Sequence, residues 1–297
     1  MVAPRLERIL RSNYPDYPLL ASLKAAPFGT AIPEHEFIQF RRLQSLIYAI
    51  RPAGYDVEAM QTEAFLGAVL SAHVNCKVAV TRCEYDQEIN DAMYQRVAPR
   101  LARQMVMWFT TNANLANDRV RAFPIGITDY CGYSPYHAVI GDTAKFKALI
   151  DTTPRSDRGL VLLNFKDGNH ESRPPVRALF ESKPFVSTAA YTADENGYVG
   201  YVRALRSHTF CLAPRGNGID THRMWEALYA GCIPIVQRSL ALKDFADLPI
   251  FFVDDWAQAA DEATLLKVRD EFRARTWDLR KLTLSYWFDE VCALLRS

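Results

Sequence analysis

The run from His208 to Val236 constrains this chain more than any other stretch. It reads as an apolar strand (208–213), a turn holding Gly216 and Gly218, a helix (221–230), Gly231 and a second apolar strand (233–237). Glycine allows the turn to be sharp and to approach a ligand closely. Asp220 stands where a helix N-cap is expected, and Gly231 where a left-handed C-terminal stop is expected. A strand–turn–helix–strand unit of this kind belongs in an α/β fold with a parallel sheet. His222 and Arg223 fall in the first helical turn, where a cation opposes the helix dipole at a cost of about 0.3–1 kcal/mol. A bound anion reverses that sign. The turn, Arg215 and Arg223 are therefore a candidate diphosphate cradle, with Gly216, Asn217, Gly218, Asp220, Thr221 and His222 around it. Arg223 and Glu226 are three apart and share a helix face. They form either an intrahelical ion pair or a divided site. In the second case Arg223 holds phosphate and Glu226, an acceptor-only carboxylate, takes ribose hydroxyls.

The rest of the chain supports the same fold class. Residues 36–50 carry apolar side chains at helical spacing, and Asp56 is read as the cap of a second helix with Met60, Phe65 and Leu66. Strands are expected at 76–83, 104–110 and 120–123, with a helix at 90–101 between the first two. Beyond a loop near 152–158, strands at 159–165, 208–213, 233–237 and 251–253 alternate with helices at 175–182, 199–206 and 221–230. The remainder is read as helical. This predicts two Rossmann-like domains facing each other across a cleft, 1–140 and 141–297, with the last helix able to pack back on the first domain.

Charge and cysteine usage narrow the function. Lys plus Arg is 35 and Asp plus Glu is 34, a net charge of +1, which excludes a global electrostatic grip on nucleic acid but allows a local basic pocket. No apolar run is long enough to span a membrane, and the charged start is not read as a signal peptide, so a cytoplasmic protein is expected. Cys76, Cys83, Cys131, Cys211, Cys232 and Cys292 include no C-x-x-C pair and read as reduced, buried thiols. The histidines show no zinc spacing, and no D-x-D pair is present. No metal or other cofactor is expected.

The segment from Phe210 to Val236 resembles the exostosin-like (family 47-type) glycosyltransferases of the GT-B fold, with Pro-x-Gly, an Arg-x-x-Glu-Ala helix and Gly-Cys-Ile-Pro. Lesser resemblances are Trp108-Phe109 with Asn112, Pro124-Ile125-Gly126-Ile127, Leu163-Asn164-Phe165 with Arg173, the stretch from Asp247 to Trp256, and Leu282 to Trp287. The resemblance implies a hexosyl- or pentosyltransferase. The second domain would bind a nucleoside-diphosphate sugar and the first a glycan or glycoconjugate acceptor, without a metal. Site residues in such a cleft lie just past strand ends. These are Arg82, Glu84, Asp86, Asn112 and Asp129 in the first domain, and Asn164, Arg173, Arg215 and Asn217 in the second. Inversion needs a base facing the acceptor hydroxyl, and Asp86 is the first candidate, with Glu84 and Asp129 behind it. A retaining transferase and a catalytically silent sugar-nucleotide-binding module remain the alternatives.

Overall fold

The computed structural model describes residues 17–51, 56–71, 76–83, 88–101, 105–129, 135–189 and 194–296. Its strands are β1 (Ala26–Pro27), β2 (Val57–Gln61), β3 (Val78–Arg82), β4 (Met107–Thr110), β5 (Val120–Ala122), β6 (Gly159–Leu163), β7 (Val186–Thr188), β8 (His208–Leu212), β9 (Ile233–Gln237), β10 (Phe251–Val253) and β11 (Thr276–Trp277). Two parallel sheets result, in the orders β2-β3-β4-β5 and β10-β9-β8-β6-β7, and β1 pairs antiparallel with β11. This is the α/β, two-sheet GT-B-like arrangement expected.

The second sheet explains where a ligand belongs. The chain runs from β6 outward to β7, then returns to place β8 on the other side of β6. Such a reversal opens a crevice at the carboxyl ends of the two strands it separates. The segments leaving those ends are the one beginning at Asn164 and the glycine turn that leads to the helix His222–Ala230. Strand β8 is covered on both faces: all five of its residues are buried. The helix stops at Gly231, whose φ of 74° is left-handed, and Cys232 N–H closes the end on the Ala227 carbonyl at 2.9 Å.

Two expectations need correction. Val57–Gln61 is strand β2, not part of a helix capped by Asp56; the helix begins at Thr62 and runs to Leu70. Val57 and Ala59 are buried and Glu58 between them and Met60 after them are only half-buried, which is the period of two that an edge strand shows. Asp220 is not the N-cap of the helix at His222. Thr221 holds that position without a side-chain cap bond, and the Asp220 carboxylate is committed elsewhere.

The two sheets share one core. Phe109 and Phe123 of the first half, Trp225 and Phe245 of the second, and Trp287 of the last helix (Leu284–Arg296) belong to a single apolar cluster. Trp287 stands edge-on to Phe123 at 5.5 Å, to Phe245 at 6.1 Å and to Phe109 at 6.5 Å. Polar ties reinforce the joint: Asp244 accepts from Ala122 N–H at 2.9 Å, and Ile38 N–H donates to the Tyr229 hydroxyl at 3.0 Å.

Candidate active site

A cavity of about 650 Å³ lies between the sheets and is lined from both. On the second-sheet side it takes in Asn164, Arg173, the turn from Gly216 to Gly218, Asp220, Thr221, His222, Arg223 and Glu226. On the first-sheet side Arg41, Gln61, Arg82, Asn112 and Asp129 close it.

The glycine turn is shaped by close approach. A Cβ on Gly216 would fall 2.9 Å from Arg173 Nη2, and one on Gly218 would fall 2.6 Å from Asn112 Nδ2. Arg173 holds the turn from beneath by donating Nε–H to the Arg215 carbonyl and Nη1–H to the Lys166 carbonyl, each at 2.8 Å. It thus fastens the segment after β6 to the segment after β8. Asn112 holds the turn from the opposite wall: its Oδ1 accepts from Asp220 N–H at 3.0 Å, with Asn112 itself at a left-handed φ of 56°. Asn tolerates that region better than most residues.

Arg223 and Glu226 do not close an ion pair on each other; they flank Tyr201. The Arg223 guanidinium lies 5.1 Å from the Tyr201 ring centre and donates to Asn164 Oδ1 at 3.2 Å. The Tyr201 hydroxyl donates to Glu226 Oε2 at 3.0 Å. Asn164 is in turn oriented by its Nδ2–H to the Ala189 carbonyl at 3.1 Å. Burial raises the Glu226 carboxyl above its ordinary value, against the pull of Arg223 and Tyr201. Burial alone would lower Arg223, but Tyr201, Cys211 and Glu226 outweigh it and the guanidinium is held more firmly charged. Arg223 Nε is buried without a partner among the described residues. A buried donor on a cation is costly unless a ligand completes it. Tyr201 is the residue the sequence reading missed. It lies in the amphipathic helix Glu195–Ser207, where an aromatic at helical spacing reads as core.

Arg215 departs from its expected place. Its guanidinium pairs with Glu88 at 2.7 Å and borders a separate, smaller hollow of about 170 Å³ with Ser239 and Trp256. Arg215 thus lines this smaller hollow and not the cavity that Arg223 lines. Of the three carboxylates considered as base, Glu84 and Asp86 lie outside the described residues. Asp129 is at the cavity wall, buried, with Arg82 Nη1 on its Oδ2 and Arg41 N–H on its Oδ1 at 3.4 Å. Among the described residues no His, Cys, Asp or Glu cluster could hold a metal ion. Cys76, Cys83, Cys211 and Cys232 are free thiols, and they and Cys292 are buried.

Asp220 bridges the two halves. Its carboxylate accepts from Ile125 N–H and from Trp225 Nε1–H, each at 2.7 Å. Burial still pushes its proton affinity up, to about 7. In the folded chain Asp220 therefore keeps a proton that the unfolded chain releases near pH 4. Its contribution to stability is complete below that pH and is lost as pH rises toward 7. His222 acts in the opposite sense over nearly the same range, since burial lowers it from 6.5 to about 4. Asp220→Asn is expected to destabilise the fold by about 1–3 kcal/mol, because an amide cannot accept from both N–H groups without aiming its own NH₂ at one of them. The deficit relative to the parent should shrink steadily between pH 4 and 7. Urea unfolding across that range measures it; a constant deficit would remove the titration from Asp220.

Residues 134–261 match the family described as the Exostosin GT47 domain. That stretch is similar to an exostosin-like GT47 glycosyltransferase domain. Exostosin-1 of Drosophila melanogaster is 40% identical over 94 residues, which are 29% of this chain and 12% of that protein. Exostosin-1a of Danio rerio and Exostosin-1 of Mus musculus are 35% and 36% identical over the same length. This chain thus spans only a small part of the curated exostosins it matches. A crystal structure of an α1,3-fucosyltransferase is 11% identical, with a TM-score of 0.40 over 81% of this chain and 88% of that one. The GT47 match overturns the cytoplasmic placement expected from the sequence, since the exostosin relatives are Golgi-lumenal glycosyltransferases. No described helix is long and apolar enough to cross a membrane.

Proposed function

We propose that this chain transfers a sugar from a nucleoside-diphosphate sugar to a hydroxyl of a glycan or glycoconjugate, with inversion and without a divalent ion. The observation that carries the reading is the Arg223–Tyr201–Glu226 arrangement at the strand reversal of the second sheet. Arg223, with an unpartnered buried donor and the amino end of its helix nearby, suits the diphosphate that leaves with the electron pair of the broken bond. Glu226 Oε2 is taken by Tyr201, and Oε1 has no partner among the described residues, so it is free to accept from the ribose. The opposite wall, with Asn112, Arg82 and Asp129, then receives the acceptor.

Thermal shift with UDP, GDP, CDP and dTDP tests the donor site, because a ligand that binds only the folded chain raises its melting temperature by mass action. One nucleotide should stand apart from the others, and the matching sugar nucleotide should turn over at an undiminished rate in EDTA. No shift with any nucleotide sinks the donor assignment. A large loss in EDTA that Mn²⁺ restores sinks metal independence. The anomeric configuration of the product, read by NMR, decides inversion.

A further inference from the structure

We propose that His222 is the group that takes the proton from the acceptor hydroxyl, an inference that rests on the transferase reading above. His222 begins the helix that carries Arg223 and Glu226, but its ring turns the other way. Arg223 reaches back to Asn164 at the end of β6, whereas His222 Nδ1 meets the Gly126 carbonyl of the first half at 2.7 Å. The ring thus stands between the donor half of the cavity and the wall that holds Arg82 and Asp129.

That single bond fixes the tautomer. A carbonyl only accepts, so Nδ1 carries the hydrogen and the lone pair of the neutral ring sits on Nε2. Nε2 has no hydrogen-bond partner among the described residues, and the ring lines the cavity. The charges facing the ring keep it neutral in the free protein. Burial is the largest influence, the Arg82 guanidinium adds to it, and His137 adds a smaller push. Asp129 is drawn to Arg82, and both of its oxygens already have partners. It holds Arg82 in place; burial raises its proton affinity, so it is the competing acceptor that the pH and temperature dependence below distinguishes from His222. A diphosphate bound at the adjacent helix terminus reverses the balance at His222, because its negative charge favours the imidazolium just when the proton must be accepted.

The step balances without any further reactant. The acceptor O–H bond breaks and its proton moves to Nε2. The acceptor oxygen bonds to the anomeric carbon as the bond from that carbon to the diphosphate oxygen breaks, and the electron pair departs with the diphosphate. The imidazolium returns its proton to water after the products leave.

Two substitutions test this. His222→Asn keeps an N–H where Nδ1–H stood, preserving the bond to Gly126, and removes Nε2. His222→Gln leaves an amide near the position of Nε2. Single-turnover transfer is expected to slow by about 10²–10⁴-fold in both, with nucleoside-diphosphate affinity by calorimetry unchanged. The parent's rate should rise with pH through one ionisation of the donor-bound complex, and that limb should be missing in the variants. Folded variants with the parent's rate overturn the inference, as does a defect confined to donor affinity. Should neither variant fold, the parent's pH limb still decides: its midpoint should move with temperature as an imidazole's does, and a temperature-insensitive midpoint means a carboxylate. A parent that binds no nucleoside diphosphate refutes the transferase reading itself, which is a different result from a parent that turns over without need of His222.

Discussion

Trp287→Ala is expected to lower the unfolding free energy by about 3–5 kcal/mol, the range for truncating a large buried aromatic. Trp287 is 1% exposed. It loses edge contacts to Phe109, Phe123 and Phe245, each of the kind worth about 0.5–1.5 kcal/mol beyond area. Its Nε1–H bond to the Lys281 carbonyl, 2.9 Å long, goes with it. Because those three rings come from both halves, the loss should appear in each half at once. Urea unfolding followed by far-ultraviolet circular dichroism and by the fluorescence of the remaining tryptophans should give one coincident, shifted transition. Two separated transitions, or a loss below about 1 kcal/mol, would contradict a shared core.

Glu226→Ala should act twice, on stability and on donor binding. Removing the carboxylate leaves Arg223 partly covered without its nearby anion and leaves the Tyr201 hydroxyl without its acceptor. Leaving the buried Tyr201 hydroxyl without its acceptor typically costs about 1–3 kcal/mol, and the weaker field at Arg223 adds to it. Donor binding should fall as well, by about 1.5–3 kcal/mol for a lost charge-assisted hydrogen bond. Glu226→Gln separates the two effects, since its amide oxygen can still accept from Tyr201 while the charge is gone. Calorimetry with the responsive nucleotide, run beside urea unfolding, reads both. Full affinity in a folded Glu226→Ala would remove the ribose role.

The donor half of the site was legible in the sequence because its constraints are local. A glycine whose Cβ would strike Arg173 or Asn112, a helix stop at Gly231 and two charges three residues apart all lie within one strand–turn–helix unit. What the sequence hid depends on which side of that unit a residue faces. Arg215 looks like a phosphate ligand by position, yet it lines the smaller hollow and meets Glu88, more than a hundred residues away in the chain. Asp220 looks like a cap because caps are local, but Ile125 N–H, across the cavity, draws its carboxylate away from the helix. Strand β2 escaped because Gln61 ends the strand and Thr62 starts the helix with no glycine or proline between them. Strand β7 is a short, largely exposed edge strand with little apolar pattern to show.

The joint between the halves bears on how substrates meet. Asp220 to Ile125, Asn112 to Asp220 and His222 to Gly126 all tie one half of the molecule to the other beside the cavity. The spacing from the Arg223 side to the Arg82 side is consequently set when the chain folds and not when a ligand arrives. Orientational entropy that a mobile two-lobed enzyme gives up at each encounter is here surrendered once, during folding. Such a slot favours acceptors whose reactive hydroxyl already matches its fixed reach. It discriminates by shape at entry.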